Sequence, residues 1–84
     1  MVYPNPVNDY LNIELEIAQQ GQYIFEVFDN IGRPVIREVR YFEPGTQKLH
    51  LDMNHHSPGV YILSVKSNKG SIGVKKILKS SNGG

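Results

Sequence analysis

Apolar and polar residues alternate along most of this chain, so that every second side chain is hydrophobic. Successive side chains of a β-strand point to opposite faces, and the alternation therefore predicts strands with one buried face. Apolar residues at the i, i+3, i+4 spacing of a helix are not sustained anywhere in the sequence. The alternating segments are 11–17, 23–28, 35–40, 48–53, 61–65 and 71–79. The pattern predicts an all-β chain, and apolar residues on both faces of 23–28 predict a strand that is largely covered on both sides.

Short turn-forming sequences separate these segments. DNIG (29–32) and SNKG (67–70) each begin with Asp or Ser and end with Gly, as type I turns favour. The glycine can adopt a positive φ and close a bulged hairpin. EPG (43–45) and SPG (57–59) mark two more reversals. Six or seven short strands at a spacing of about ten residues predict a small immunoglobulin-like antiparallel β-sandwich, with a small open barrel as the alternative.

A proline-rich segment, YPNPVND (3–9), precedes the first regular strand. Pro4 and Pro6 each fix their own φ and bias the preceding residue toward extended geometry. Proline has no N–H to donate to a sheet ladder, so the segment belongs on a sheet edge or outside the sheet. We expect it to place Tyr3 and Val7 against that edge, and to mark where a domain begins after a linker.

Length and composition narrow the classes of function. The 84 residues are enough for one domain, which buries about 60–65% of its unfolded surface. The chain has no cysteine, which excludes disulfides, thiol chemistry and thiolate metal sites. Nine basic and eight acidic residues give a net charge of +1, too small for strong attraction to nucleic acid. There is no membrane-length apolar run and no signal-peptide layout. If the domain is exported, we expect its signal on a longer parent chain.

Four residues of types that can bind a metal ion lie within seven positions of each other. His50, Asp52, His55 and His56 are residue types that bind zinc or nickel. In a strand, His50 and Asp52 share a face, whereas the two later histidines fall in the following turn, so no metal site is expected. The pair 8–9 lacks the clustered acidic ligands that calcium needs. No catalytic triad, carboxylate pair or phosphate-binding loop can be assembled, and we predict neither an enzyme nor a cofactor.

Four motifs follow one another along the chain. They are a Pro-Asn-Pro opening, an Asp-x-x-Gly turn, a Gly-x-Tyr element and a lysine-containing last strand. The stretches that contain them are PNPVNDYLNIEL (4–15), YIFEVFDNIGRPV (23–35) and LDMNHHSPGVYILSVKSNKGSIGVKKILK (51–79). Each motif alone is common, whereas four in order over residues 3–79 are specific. Together these stretches resemble the C-terminal sorting domain of the type IX secretion system of Bacteroidetes.

The resemblance implies a role in addressing a protein for export. Such domains lie at the C-terminus of a cargo protein that reaches the periplasm by an N-terminal signal. The outer-membrane translocon and its shuttle proteins then recognise the domain. A sortase-like peptidase at the cell surface commonly cuts before it and can join the cargo to anionic lipopolysaccharide. The resemblance therefore implies transit through the periplasm, followed by display on the cell surface or secretion.

The family motifs can be placed residue by residue. Residues 1–79 are predicted to be the sorting domain, and SSNGG (80–84) a flexible tail, native or left from cloning, because family members usually end near the last strand. The resemblance implies recognition by the translocon through the third motif and the last strand. The motif positions are Pro4, Asn5 and Pro6, then Asp29 and Gly32. The implied recognition residues are Gly59, Tyr61, Lys75, Lys76, Ile77, Leu78 and Lys79.

Each of these positions also has a structural explanation. Asp29 and Gly32 are turn formers, and Gly59 and Tyr61 can serve a reversal and the core. Lysines on the last strand can discourage unwanted sheet pairing instead of being recognised. Both explanations hold if the strand is an exposed edge, because a receptor can add its own strand there. An exposed edge also predicts edge-to-edge dimers of the isolated domain.

Two other functions fit an all-β domain of this size. One is an immunoglobulin-like or carbohydrate-binding accessory module of an extracellular enzyme, and the other is a structural spacer. A sugar-binding surface needs exposed aromatic side chains, and the chain contains no tryptophan. The aromatic residues outside the predicted core are Tyr10, Phe28, Tyr41 and Phe42.

Overall fold

The protein is an all-β domain, as the alternating pattern predicts. The computed structural model describes residues 2–4 and 6–80, and within them there are seven strands and no helix. Accordingly, these residues contain no helix with the length and apolarity needed to span a bilayer. The strands are β1 (Val2–Tyr3), β2 (Tyr10–Ile17), β3 (Gly21–Phe28), β4 (Pro34–Phe42), β5 (Gly45–Asp52), β6 (Gly59–Ser67) and β7 (Gly70–Lys79).

The strands form two antiparallel sheets, which confirms the small β-sandwich. One sheet has the order β1-β2-β5 and the other the order β4-β3-β6-β7. Strand β2 pairs with β5 along its whole length, from Tyr10 opposite Asp52 to Ile17 opposite Gly45. Strand β3 lies between β4 and β6, and β7 is the last strand of its sheet.

The core lies between the inner faces of the two sheets. Every second residue of β2, β3, β5 and β6 points into it, as strand geometry requires. Each sheet thereby covers the apolar face of the other, and burial of this apolar surface is the main source of stability. The buried apolar residues are Val7, Leu11, Ile13, Ile17, Tyr23, Phe25, Val27, Leu49, Leu51, Met53, Tyr61, Leu63, Val65 and Ile77.

Strand β3 is covered less completely than its composition indicates. Its inward side chains at Tyr23, Phe25 and Val27 are buried, whereas Ile24 and Phe28 on the other face are half-buried. Within the described residues no third layer covers that outer face. The neighbouring strands β4 and β6 only partly shield its side chains from solvent. The expectation of cover on both sides is therefore met only in part.

The proline-rich segment passes from one sheet to the other. Val2 and Tyr3 pair with the outer edge of β2, and the peptide bond between Tyr3 and Pro4 is cis. Val7 then makes a parallel bridge to Lys79 at the end of β7. This segment therefore lies on the edges of both sheets, as expected from its prolines. Val7 is fully buried, whereas Tyr3 remains 39% exposed.

Candidate recognition site

The sequence motifs converge at one end of the four-stranded sheet, which we call the motif end. The turn after β3 and the reversal before β6 together line a shallow pocket of about 200 Å³. Gly59, at the start of β6, pairs with Lys79 at the end of β7. Val7 bridges to the same Lys79 from the proline-rich segment. Four motifs that are separate in sequence thus meet in one region, which the sequence did not predict.

Asp29 organises the turn at the motif end. Its Oδ1 accepts hydrogen bonds from the N–H groups of Ile31 (3.1 Å) and Arg33 (2.9 Å). Its Oδ2 accepts a hydrogen bond from Arg33 Nε at 2.8 Å. Gly32 donates its N–H to the Asp29 carbonyl at 3.0 Å and has φ of 87°, a conformation that favours glycine. The prediction that Asp29 and Gly32 form a turn is therefore confirmed.

The same contacts make the turn sensitive to acid. The Arg33 N–H is the main group that lowers the pKa of Asp29 below the ordinary value of 3.8, against an opposing effect of desolvation. A lowered folded-state pKa stabilises the fold above the unfolded-state pKa, and this stabilisation disappears as the pH falls through the folded-state value. Asp29 therefore stabilises the fold at neutral pH and loses this effect in acid.

Replacement of Asp29 by asparagine is expected to remove this dependence on pH. The wild-type Tm should decline from about pH 4 downward, because protonation of Asp29 weakens the turn. At pH 7 the variant should melt below the wild type, since the asparagine oxygen can accept the two main-chain hydrogen bonds but its NH2 group cannot accept the one from Arg33 Nε. The two curves should converge in acid. Thermal unfolding followed by circular dichroism between pH 2 and pH 7 measures both curves, and parallel curves would contradict the assignment.

Tyr61 has a structural position next to this turn. Its ring is buried, with 6% exposure, and its hydroxyl donates a hydrogen bond to the Ser57 carbonyl at 2.6 Å. The ring also makes an edge-to-face contact with His56, with ring centroids 6.2 Å apart. Gly59 is exposed and has φ of 152°. This geometry supports a role for the Gly-x-Tyr element in shaping the reversal before β6.

Strand β7 divides the implied recognition residues between its two faces. In the register with β6, Lys75, Ile77 and Lys79 lie opposite Leu63, Tyr61 and Gly59. Ile77 is fully buried and Lys79 is 5% exposed, with Nζ donating a hydrogen bond to the Ser80 carbonyl at 3.1 Å. The remaining three residues of 75–79, which are Lys75, Lys76 and Leu78, are exposed.

The burial of Lys79 was not foreseen, although the sequence contains its signal. Lys79 follows Ile77 by two residues, so strand alternation places both side chains on one face. Its aliphatic stem can line the core edge while its ammonium reaches the Ser80 carbonyl. Asn5 and residues 81–84, which belong to the first motif and the predicted tail, lie outside the described residues. Ser80 donates its N–H to the Val7 carbonyl at 2.9 Å.

The outer edge of β7 is paired at its C-terminal end. The Val7 N–H donates to the Leu78 carbonyl at 2.7 Å, and Ser80 returns a hydrogen bond to Val7. Among the described residues, no strand pairs with this edge before that point. Strand β7 is thus the edge strand of its sheet, as expected of the last strand from the sequence.

An apolar groove runs beside β7, between the two sheets. Its volume is about 200 Å³, and it lies where the short strand β1 leaves the flank of the sandwich uncovered. Lys75 lies on its rim. We call it the flank groove, and its lining consists of Val2, Ile13, Leu15, Leu63, Val65 and the segment 72–75.

The histidines and the aromatic candidates are dispersed. His50 Nδ1 lies 2.8 Å from Asn12 Oδ1 on the outer face of the three-stranded sheet. Across the described residues, no group of three or more His, Cys, Asp or Glu side chains is arranged to hold a metal ion. Exposed Tyr10 and Tyr41 belong to different sheets, and half-buried Phe42 packs against Phe25 at 6.2 Å between ring centroids.

Comparison with known proteins bears directly on these motifs. No curated protein matches the chain. The model of the family described as "Secretion system C-terminal sorting domain" matches residues 1–80, and it therefore includes all seven strands and the whole motif end. The resemblance seen in the sequence is thus confirmed at the level of the family. The chain belongs to the type IX secretion C-terminal sorting domains.

Proposed function

We propose that this domain carries an attached cargo protein across the outer membrane through the type IX system and is cleaved off at the cell surface. The family itself is one of sorting signals and not of enzymes, and it implies export to the cell surface or secretion. The match over residues 1–80 is the observation that carries the proposal. The cargo precedes Val2, and the periplasm is the compartment crossed on the way. Residues 1–79 constitute the signal.

The proposed contact with the translocon and its shuttle proteins uses the exposed part of β7. Lys75, Lys76 and Leu78 are exposed beside the motif end, where Gly59 is also accessible. Ile77, Tyr61 and Lys79 are buried, and in this proposal they hold the strand in place. A sortase-like peptidase cuts the linker before the domain. For this cleavage the domain needs only to be folded and to have directed the protein to the surface.

Export of a reporter tests this function. A fluorescent protein with a periplasmic signal at its N-terminus and this domain at its C-terminus is produced in a bacterium that has a type IX system. We expect the reporter to appear at the surface or in the medium. Simultaneous replacement of Lys75 and Lys76 by alanine should reduce export at least about tenfold, if each ammonium makes a charge-assisted contact.

The matched control removes two positive charges elsewhere. Replacement of Arg37 and Lys48 by alanine changes the net charge equally, on β4 and β5, and should leave export near the wild-type level. Deletion of 71–79 should also abolish export, but it removes Ile77 from the core and so tests folding as well. Retention of the wild-type reporter in the periplasm would refute the sorting function. Equal export by both alanine pairs would refute the role of the lysines.

A further inference from the structure

We propose that the outer edge of β4 is the interface of a two-fold homodimer, in which the β4 strands of two copies pair antiparallel. The two four-stranded sheets would then form one continuous sheet. The partner is a second copy of this chain because the edge is complementary to itself in main-chain hydrogen bonding and in side-chain charge. The inference goes beyond the proposed sorting function and does not depend on it.

Strand β4 has a regular outer edge. It ends the four-stranded sheet on the side away from β7, and among the described residues no strand pairs with its outer side. Pro34 and Val35 make its beginning irregular, because the register with β3 shifts there. The regular part is therefore 36–42, which contains no proline and has Val39 at its centre. An edge of this kind can pair with another strand.

The main-chain groups of every second residue in this regular part point outward. At the end of β3, the Asp29 N–H donates to the Arg33 carbonyl at 2.9 Å and so points toward β4. Main-chain groups alternate between the two sides of a strand, so those of Phe25 point toward β4 as well. Phe25 lies opposite Glu38, which therefore directs its own groups to β3. The residues that direct theirs to the open side are Arg37, Val39 and Tyr41.

A two-fold axis at Val39 satisfies these outward groups in both copies. Val39 then lies opposite Val39 of the second copy, and Arg37 lies opposite Tyr41. All of these residues point outward, so each pair exchanges its N–H···O=C hydrogen bonds. An axis at Glu38 or Arg40 would instead align residues whose main-chain groups are turned toward β3.

The charged side chains of β4 are complementary in the same register. Glu38 lies opposite Arg40 of the second copy, and Arg40 lies opposite Glu38. These are non-hydrogen-bonded positions, where opposite side chains are closest. Arg40 Nε and Glu38 Oε2 form an ion pair at 3.2 Å within one chain, so the dimer would join two such pairs into a network of alternating charge. An axis at Arg37 would set two guanidinium groups opposite each other.

The other side chains of the regular part are also compatible with pairing. Val39 is 41% and Tyr41 is 57% exposed, and the dimer would cover part of both. Arg37 would lie beside the Tyr41 ring, where a cation and an aromatic face attract each other. Ile36 and Phe42, which pack half-buried against the core, would lie opposite each other. Charges on an edge strand usually discourage pairing, but here their order makes the edge complementary to itself.

Sedimentation equilibrium of the 84-residue chain tests the dimer. An interface of one strand pair is small, so we expect a reversible dimer with a Kd on the order of 100 μM. Glu38→Arg should raise this Kd at least about tenfold, because like charges then oppose each other at both positions. Arg40→Glu should have the same effect through carboxylates.

Two combinations of these substitutions should restore association. The double variant Glu38→Arg/Arg40→Glu has opposite charges facing again and should dimerise within about threefold of the wild-type Kd. An equimolar mixture of the two single variants should form a heterodimer, because each like-charged strand then faces the opposite charge. Lys48→Glu, on β5, changes the net charge as Arg40→Glu does and should leave the Kd unchanged.

Folding of the variants can be separated from association. The side chains of Glu38 and Arg40 are 40% and 48% exposed, so their substitution should leave the core intact. A thermal melt verifies this for each variant. Formation of the heterodimer would itself show that both single variants are folded.

Hydrogen exchange locates the interface, and several outcomes would overturn it. Exchange of the Val39 N–H should slow as the protein is concentrated, whereas that of Val74 on β7 should not change. The proposal would be wrong if the wild type stayed monomeric up to about 1 mM, if the charge reversals left the Kd unchanged, or if the mixture formed no heterodimer. Protection confined to β7 would place the contact on the opposite edge of the sheet. Export of the reporter is measured separately, so loss of the dimer would leave the sorting function standing.

Discussion

Replacement of Phe25 by alanine is expected to remove most of the free energy of unfolding of this domain. Phe25 is fully buried at the centre of β3, the strand between β4 and β6. Loss of such a ring costs about 3–5 kcal/mol, because apolar contacts are lost and a cavity remains. A domain of this size has a free energy of unfolding on the order of 5 kcal/mol. The variant should therefore unfold at a much lower urea concentration than the wild type when its circular dichroism is followed.

Ile31→Ala provides the matched control. Ile31 lies in the turn after β3 and is 68% exposed. Truncation of an exposed side chain there should change the free energy of unfolding by no more than about 0.5 kcal/mol. If Phe25→Ala unfolded at the same urea concentration as Ile31→Ala, the core would not be centred on β3.

The number, type and turns of the strands could be predicted because their signals are local. Alternation over 10–17 defines β2, and the residue types at 29 and 32 define the following turn. The sandwich itself follows from the same pattern, since strands with one apolar face must cover each other. Each of these strands and turns can therefore be predicted from its own residues, without knowledge of its partners in the fold.

The assignment of strands to sheets could not be predicted in the same way. β2 pairs with β5 and β3 with β6, and both pairings join distant segments whose alternation looks alike. The proline-rich segment reaches the second sheet through one residue, Val7, which bridges to Lys79. The residues around Val7 do not alternate between apolar and polar, so the sequence gives no signal for this bridge. The flank groove exists because β1 is only two residues long, and no local signal sets this length.

The candidate site was predicted in composition but not in geometry. The lysines of the last strand were identified, yet three of the seven implied recognition residues are buried. Tyr61 and Ile77 belong to the core, and Lys79 lies under the proline-rich segment. A motif records which residues belong together, whereas exposure depends on which strands cover them. Of the implied recognition residues on β7, Lys75, Lys76 and Leu78 are the exposed ones.

Replacement of Val7 by aspartate is expected to release the end of β7 and to destabilise the domain strongly. Val7 is fully buried, and its main chain exchanges hydrogen bonds with Leu78 and Ser80. An unpaired carboxylate at a buried position costs about 3–5 kcal/mol. The free energy of unfolding, measured in urea, should fall by at least about 3 kcal/mol, and the Ser80 amide should lose its protection from exchange.

Asn8→Asp places the same carboxylate one residue further along, at an exposed position. Asn8 Oδ1 is hydrogen-bonded to Ser80 Oγ, and an aspartate oxygen can accept that bond equally well. The control should therefore keep the wild-type stability and a protected Ser80 amide. Comparable stability of the two variants would show that the proline-rich segment does not anchor β7. If Val7→Asp alone is destabilised, the stiff opening of the domain has a definite role. Pro4 and Pro6 restrict the chain ahead of Val7, so that Val7 can secure the last strand at the motif end through its hydrogen bonds with Leu78 and Ser80.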